Sequence, residues 1–388
     1  MPQIFEVFGY PLTDQSTEAV QNRLNAHCPF MNGVCDGGGN RYASQIRLKN
    51  SAELAALYPE FEVIQSGVCS IQVQPDKSPW IVCPRRLLVL GAEKPGERKY
   101  QAGTEAETLN LLKYPVGTRL GVWAEVKMEY WEEIEIDREG EIEKQIAEVE
   151  YRFDYVVMPI GLASQSQIEE ELEPVIRRLV KPLKSNQLRS LLIKSGYTLA
   201  YRGGEYFVED YPLGYPGIIE IMTSSTSGGN QQKRTTVPMA FSDAILGIEH
   251  KAPGINYRQV WARMASQLIV KSEFGLKWGG KTIWVIQDVL AGYISATTAL
   301  DLKNFIKNDT SEVNIISFSY GDSFVNPYGI LELGNAELYA GPISSVAKEA
   351  PEYKPSFQDI IRSSICPPLA FLKFLLLKKR FANQILLS

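Results

Sequence analysis

Two stretches with strand-like patterns stand out near the middle of the chain. Residues 120–128 have strand composition, and alternation of hydrophobic and polar residues returns over 149–157, after a charged segment that turns at 137–140. Because successive side chains point to opposite faces of a strand, such alternation is typical of half-buried strands. The pattern predicts one long, acidic hairpin or meander.

Residues 164–195 change to the spacing of amphipathic helices. Apolar residues recur there at helical intervals, at Ile168, Leu172, Ile176, Leu179, Leu183, Leu188, Leu191 and Leu192. Proline cannot supply the backbone N–H that a helix interior requires. We therefore expect Pro182 to divide this stretch into two helices.

A short apolar run follows this helical stretch. Residues 218–222 predict a buried strand, and Glu220 places one carboxylate inside it. The strand leads directly into a loop rich in serine and threonine at 223–230.

A long helix is the next predicted element. Val260, Met264 and Leu268 form one apolar stripe, which predicts a helix from about 256 to about 274. Residues 281–288 then have the composition of a strand.

The order strand, strand, helical excursion, strand, long helix, strand indicates an α/β chain. A chain of 388 residues is long enough for two or three domains. The polar segment 93–98 marks a break. The predicted divisions are 1–95, a cysteine-containing domain; 96–300, a core with a helical insertion at about 162–215; and 301–388, a C-terminal helical region.

The charge is unevenly distributed. The net charge is −5, but residues 125–150 hold eleven acidic and three basic residues, so they contribute −8 and the remainder sums to +3. The body of the protein is therefore mildly basic, which is compatible with binding to nucleic acid.

Composition indicates a soluble globular protein, with 45% hydrophobic and 22% charged residues. The apolar stretch 369–377 is interrupted by Lys373 and is too short to span a bilayer. The N-terminus has neither the basic nor the apolar segment of a signal peptide. We expect a cytoplasmic protein with no membrane partner.

Several reaction classes are disfavoured by residue content. His27 and His250 are the only histidines, which removes most Ser-His-Asp, Cys-His and histidine-based metal sites. The sequence contains no G-x-x-x-x-G-K-[ST] phosphate loop. Carboxylates that hold a hard metal ion are the chemistry that remains if the protein is an enzyme.

Four cysteines occur in the first quarter of the chain: Cys28, Cys35, Cys69 and Cys83, separated by 6, 33 and 13 residues. Four thiolates are suited to one tetrahedral metal ion, although these spacings are looser than the C-x2-C pairs of zinc fingers. Two alternatives remain, namely buried apolar cysteines or two disulfides. Thiolate ligands alone do not separate iron from zinc. We expect Cys366 to be an ordinary packed thiol.

Local sequences around these cysteines resemble the N-terminal metal-binding region of the NotI restriction endonuclease family. The similar segments are C-P-F at 28–30, G-V-C at 67–69 and W-I-V-C-P-R-R at 80–86, preceded by F-G-Y at 8–10. The context of Cys35 differs from the family. The resemblance implies iron in a four-cysteine site.

The resemblance continues at two predicted strands, F-D-Y at 153–155 and G-I-I-E-I-M-T at 217–223. It implies a mixed-sheet PD-(D/E)xK nuclease core in which Asp154 and Glu220 hold a catalytic Mg²⁺ ion against the scissile phosphate. Without the resemblance, a strand aspartate is more simply read as a structural residue.

The chain departs from the family in two ways. The segment between Asp154 and Glu220 is much longer, which is the reason for predicting an insertion. Met222 also stands where the family has glutamine and the superfamily has lysine. We expect Lys127 or Gln287 to fill that role.

One further carboxylate is a candidate ligand. Glu125 is predicted as a third catalytic carboxylate, with a place in the solvated acidic hairpin as the alternative.

Basic residues near these strands are candidates for contact with DNA. The loop at 223–230 leads to Lys233 and Arg234, and the long helix carries Arg258. A polar stripe on that helix is predicted to face either DNA bases or solvent, and it contains Gln259, Arg263, Gln267 and Lys271.

The resemblance implies a type II restriction endonuclease, which hydrolyses double-stranded DNA at a specific, palindromic and GC-rich site with Mg²⁺. Such an enzyme is expected to act as a homodimer, because two-fold DNA symmetry matches two-fold protein symmetry. The alternative is a non-catalytic, metal-stapled DNA-binding or regulatory protein on a nuclease scaffold, in which Met222 has ended catalysis.

Overall fold

The computed structural model describes residues 1–38, 44–91, 102–138, 141–176, 185–297, 301–321, 330–343, 366–381 and 383–387. The chain is a mixed α/β protein with a mixed sheet. The chain divides into two compact units. Unit 1 comprises Met1–Leu111, Ile221–Ala265 and Trp284–Ala340, and unit 2 comprises Leu112–Glu220, Ser266–Ile283 and Gly341–Ser388. Each unit is thus assembled from three separate segments, whereas the sequence predicts three consecutive domains.

The strands vary from two residues to more than twenty. In chain order they are β1 Gln3–Val7, β2 Tyr10–Pro11, β3 His27–Cys28, β4 Gly33–Val34, β5 Gln45–Arg47, β6 Val63–Gln65, β7 Val68–Gln72, β8 Trp80–Ile81, β9 Arg119–Arg138, β10 Glu141–Ser164, β11 Leu199–Arg202, β12 Glu205–Pro212, β13 Gly217–Ile221, β14 Lys281–Gln287, β15 Val313–Tyr320, β16 Leu333–Gly341 and β17 Asn383–Leu386.

The helices are mostly short. They are α1 Thr17–Leu24, α2 Ala52–Leu57, α3 Pro84–Leu87, α4 Ala102–Asn110, α5 Gln165–Ile176, α6 Ser185–Lys194, α7 Val237–Ile245, α8 Tyr257–Lys277, α9 Asp288–Thr297 and α10 Leu369–Leu377, with 3-10 turns at Leu48–Asn50 and Leu302–Phe305. None of these described helices combines the length and apolarity that crossing a bilayer requires.

Unit 1 contains an antiparallel sheet in the order β2-β1-β7-β8. It also contains the part of β14 from Trp284 onward, β15 and most of β16, which lie side by side in that order. A buried polar network joins distant segments of this unit. Glu6 on β1 accepts hydrogen bonds from Arg86 Nη2 at 3.0 Å, from the Ser70 hydroxyl at 2.7 Å and from the Tyr320 hydroxyl at 2.6 Å. A buried carboxylate needs such partners to offset its lost hydration.

The centre of unit 2 is the antiparallel pair β9 and β10, whose register runs from Glu141–Arg138 to Pro159–Leu120. Strands β12 and β13 both pair with β10, β11 pairs with β12, and β17 pairs with β9. Apolar side chains of the sheet pack against α8 and α10; Phe153, Ile218, Phe274 and Leu372 are among the fully buried members of this core.

Most predicted elements are confirmed with small changes of boundary. The stretches 120–128 and 149–157 lie within β9 and β10, the strand at 218–222 is β13, and the long helix is α8. The turn residues 139 and 140, and Leu179, Pro182 and Leu183, lie outside the described residues.

Two regions differ from the sequence expectation. The insertion contains a hairpin, β11 and β12, in addition to its helices, and β12 extends the sheet by pairing with β10. The C-terminal region is not simply helical, because it contains β15, β16 and β17 as well as α10. Residues 313–320 are almost continuously buried, which suits a strand covered on both faces.

Candidate functional site

Asp154 and Glu220 lie on neighbouring strands of unit 2. Strands β10 and β13 are antiparallel, with Tyr155 paired to Ile219. The next position in this register sets Asp154 beside Glu220, and side chains at paired positions share one face of a sheet. Asp154 is half-buried, whereas Glu220 is only 3% exposed. The structure therefore brings the two predicted catalytic carboxylates together.

Glu125 occupies the adjacent position on β9. The β9–β10 ladder pairs Val126 and Ala124 with the two neighbours of Asp154, so Glu125 falls opposite Asp154 where the ladder has no pair. Its φ is +52°, a left-handed conformation that residues with a Cβ atom adopt at a cost. The side chain is exposed.

Lys271 is the main feature of the site that the sequence did not indicate. It projects from the part of α8 that belongs to unit 2 and is 2% exposed. Its Nζ donates to Glu220 Oε2 at 2.6 Å and to the backbone oxygen of Arg152 at 2.6 Å. The ammonium also lies 5.5 Å from the centre of the Phe153 ring. One lysine thus links the Glu220 carboxylate to the strand that carries Asp154.

Opposing effects act on the pKa of Glu220. Burial raises the pKa of its carboxyl group, Lys271 lowers this pKa, and the nearby Asp154 carboxylate raises it again. Oε1 of Glu220 is buried and has no hydrogen-bond partner among the described residues. A second positive charge beside Glu220 and Asp154 would therefore stabilise the ionised form of the pair.

A Mg²⁺ ion fits this arrangement as a two-carboxylate site. Magnesium in phosphate-processing sites is commonly held by one or two carboxylates together with substrate phosphates and water. Within the described residues, no three His, Cys, Asp or Glu side chains are arranged closely enough to hold a metal ion. The role of Glu125 as a third ligand stays a prediction.

The four cysteines predicted to bind a metal all lie in unit 1, and none forms a disulfide. Burial raises the pKa of each thiol, and that of Cys83 to about 12. Repulsion between neighbouring thiolates adds to the rise at Cys35, Cys69 and Cys83. Cys28 contributes to the repulsion at all three, so the four sulfur atoms share one neighbourhood.

Backbone groups also approach these sulfur atoms. The backbone N–H of Gly9 donates to Cys69 Sγ at 3.3 Å. Gly38 has a φ of +64°, and a Cβ atom there would lie 2.7 Å from Cys83 Sγ. Glycine is required at this second position both for the backbone conformation and for the space.

The donor set suits a thiolate-bound metal, since four cysteines bind zinc or iron tetrahedrally. Buried thiolates that repel each other are stabilised by a cation between them. The thiols are not arranged as a ready ligand set within the described residues. The four-cysteine metal site therefore stays a prediction.

Both residues expected to compensate for Met222 are bound elsewhere. Lys127 is exposed and pairs with Glu129 and Glu150. Gln287 is 2% exposed, and within unit 1 it accepts from the Ile81 backbone N–H at 2.8 Å and donates to the Pro79 backbone oxygen at 2.7 Å. These two hydrogen bonds connect the end of β14 to the backbone at the start of β8.

Four of the candidate DNA-contacting residues lie in unit 1, namely Lys233, Arg234, Arg258 and Arg263. Lys233, Arg258 and Arg263 are exposed. Arg234 instead forms a bidentate ion pair with Asp243, in which Nε donates to Oδ2 at 2.9 Å and Nη2 donates to Oδ1 at 2.5 Å. Part of its charge is therefore already neutralised.

The prediction of a polar stripe on the long helix is wrong for its last residue, Lys271. Residues four apart on a helix of 3.6 residues per turn drift by about 40° per step. Gln259 and Arg263 are exposed, Gln267 is half-buried, and Lys271 is buried. Lys271 lies three residues after Leu268 and thus continues the apolar stripe. A lysine at an apolar position of a helix was the available signal for this buried cation.

Comparison of the chain with protein-family models, with curated proteins and with solved structures finds no match. The interpretation of the site consequently depends on its own geometry and on the sequence resemblance.

Proposed function

We propose that the chain is a type II restriction endonuclease that uses Mg²⁺ to hydrolyse phosphodiester bonds in double-stranded DNA at a specific, palindromic, GC-rich site. The observation that carries this proposal is the buried ion pair of Lys271 with Glu220, next to Asp154. In the related nuclease motif a lysine stands at the position of Met222. Here Lys271, from a different element, brings a lysine to the two carboxylates instead.

Asp154 and Glu220 act as ligands in this proposal. Their positions on adjacent strands direct two carboxylates to one face of the sheet. A divalent cation bound there would offset charge on the scissile phosphate and promote ionisation of the attacking water. Oε1 of Glu220 is the oxygen that Lys271 does not bind, and in this proposal it accepts the cation.

Lys271 is a positioning residue. Its ammonium group favours the ionised form of Glu220, which is the form that binds a cation. Its second hydrogen bond, to the Arg152 backbone, fixes β10 two residues before Asp154. One side chain thereby sets both the charge of one ligand and the place of the other.

The remaining features support binding rather than chemistry. Lys233, Arg258 and Arg263 offer exposed positive charge for phosphate contact. We propose that the four cysteines hold iron or zinc as a structural ion, and that a homodimer matches the symmetry of a palindromic site.

The second candidate is the non-catalytic DNA-binding or regulatory protein. The observation that favours it is the near-complete burial of Lys271 and Glu220, since a buried ion pair also occurs as a purely structural feature.

Cleavage of a GC-rich genomic DNA with Mg²⁺, followed by sequencing of the cut ends, tests the proposal and gives the recognition site. We expect Asp154→Asn and Glu220→Gln to abolish cleavage while DNA binding in EDTA persists. Glu148→Gln is a matched control, because Glu148 is an exposed carboxylate on the same strand as Asp154.

Two results decide between the candidates. Cleavage by both site variants at the parent rate contradicts the nuclease proposal. The non-catalytic alternative is supported if the parent protein needs its metal ion to fold and binds DNA, but does not cut it.

A further inference from the structure

A cavity of about 730 Å³ opens at the start of α8, entirely within unit 1. Three aromatic residues and three others line it: Tyr257, Trp261, Tyr293, Ile255, Asn256 and Arg258. Pockets of about 300–1,000 Å³ are typical of small-molecule sites. Apart from the phosphate contact proposed for Arg258, these residues have no role in the site described above.

Aromatic side chains form one wall of the cavity. The Tyr257 ring centroid lies 4.7 Å from that of Trp80 and 5.2 Å from that of Tyr293. Trp261 follows Tyr257 by four residues, so the two side chains project from the same side of α8. Trp261 and Tyr293 are half-buried, which leaves part of each ring open to a ligand.

One unneutralised cation borders this wall. Arg258 is exposed, and it has no ion-pair partner in the described part of the chain. A guanidinium group binds phosphate through two parallel hydrogen bonds. Asn256 instead caps the helix, because its Oδ1 accepts from the Gln259 backbone N–H at 3.2 Å and its amide donates to Gln259 Oε1 at 2.9 Å.

The serine- and threonine-rich loop after β13 runs along the edge of the cavity. The backbone N–H of Asn256 donates to the backbone carbonyl oxygen of Ser225 at 2.8 Å, and Thr226 forms an isolated antiparallel bridge with Ile255. A nucleic-acid strand that contacts this loop would therefore pass the mouth of the cavity.

We propose that this cavity binds an unstacked nucleotide, with its base against Trp261 and Tyr293 and its phosphate on Arg258. Every base offers a π face to an aromatic ring, so such stacking tolerates any sequence. The same chemistry fits a nucleotide within a DNA strand and a free nucleotide. No step of DNA cleavage takes part in this binding, so it is independent of the nuclease proposal.

Three probes test the cavity with the full-length protein in EDTA, where metal-dependent cleavage cannot occur. They are a fluorescently labelled single-stranded oligonucleotide, the same strand with abasic sites in place of its bases, and AMP measured by equilibrium dialysis. The variants are Trp261→Ala and Arg258→Gln. Trp131→Ala is the control, because Trp131 is a tryptophan 63% exposed on β9, outside the cavity.

We expect Trp261→Ala to weaken binding of the base-containing strand by about tenfold and to leave the abasic strand unchanged. Arg258→Gln should weaken binding of both strands, and the control should bind like the parent. AMP binding that is lost in Trp261→Ala assigns the cavity to free nucleotides, whereas binding of strands alone assigns it to DNA.

The proposal is overturned if folded Trp261→Ala and Arg258→Gln proteins bind all three probes as the parent does. It is also overturned if the parent binds the abasic strand as tightly as the normal one and does not bind AMP. If Trp261→Ala does not fold, Trp261→Leu replaces it, because leucine keeps an apolar side chain but offers no ring on which a base can stack.

Discussion

The ammonium group of Lys271 lies 2.6 Å from a carboxylate oxygen of Glu220, and each side chain is 4% exposed or less. Isolated charges at such depth are costly, and Lys271 favours the ionised form of Glu220 by lowering the pKa of its carboxyl group. We propose that the pair links stability and metal affinity in unit 2.

Removing Lys271 alone should be strongly destabilising. Lys271→Met leaves the Glu220 carboxyl group and the Arg152 carbonyl oxygen without their hydrogen-bond donor, and each buried group left unpaired costs about 1–3 kcal/mol. The double variant Lys271→Met/Glu220→Leu should recover most of this loss in urea denaturation at neutral pH. Lys373→Met, which breaks the ion pair of Lys373 with Glu171, is a control for general destabilisation of the same unit. Additive losses in the double variant would contradict the coupling.

Stability without metal should fall as the pH rises. Burial raises the pKa of Glu220 above the value of about 4.3 for a solvated glutamate. Between these two pKa values the folded state retains a proton that the unfolded state has released, so the free energy of unfolding decreases with increasing pH. Mg²⁺ should oppose this decrease, because it competes with the proton for the carboxylate. Urea midpoints from pH 5 to pH 8 measure the slope, and an equal slope in Glu220→Gln would refute the assignment to this residue.

A shared metal ion predicts that loss of one thiol removes the ion. Cys83→Ser should lower the metal content and destabilise unit 1, because binding of a structural metal is coupled to folding. Gly38→Ala should act in the same direction, since the new Cβ atom meets Cys83 Sγ. Cys366→Ser is the matched control, as Cys366 lies in unit 2. Full metal content in Cys83→Ser by elemental analysis would rule out the four-cysteine assignment.

Glycine at position 125 should stabilise the protein. Glu125 adopts a φ of +52°, and relief of a left-handed conformation is expected to gain about 1 kcal/mol. Glu125→Ala removes the same carboxylate but keeps the Cβ atom, so it should gain nothing. If both variants bind Mg²⁺ as the parent does, Glu125 is not a ligand, whereas an equal loss in both would make it one.

Local patterns were sufficient for the elements that frame the site. Alternation identified β9 and β10, and the apolar stripe identified α8, because both are set by which face of an element is buried. The hairpin β11–β12 was missed because its position depends on pairing with β10, which a local pattern does not encode. The assembly of each unit from three segments is similarly a matter of long-range packing.

The candidate site was predictable only in part. Asp154 and Glu220 were found through short motifs, but their side-by-side register required the structure. The spacing of Lys271 from Gln267 predicts a polar face, whereas its spacing from Leu268 predicts the apolar stripe, which is where the buried side chain lies. The bonds of Gln287 to the backbone at Pro79 and Ile81 involve partners more than 200 residues away in the chain, and no local signal indicates them.

The hydrogen bond from Lys271 to the Arg152 carbonyl oxygen has a consequence for how this protein can evolve. Every amino acid has that carbonyl group, and the Arg152 side chain itself is exposed, so substitutions at this position leave the anchor of the lysine unchanged. In the proposed site only Asp154, Glu220 and Lys271 act through their side chains, and they lie on three separate elements. Two helices and a hairpin already occupy the chain between Asp154 and Glu220 without separating them in space. Insertions at these connections are therefore the changes that such a site tolerates best.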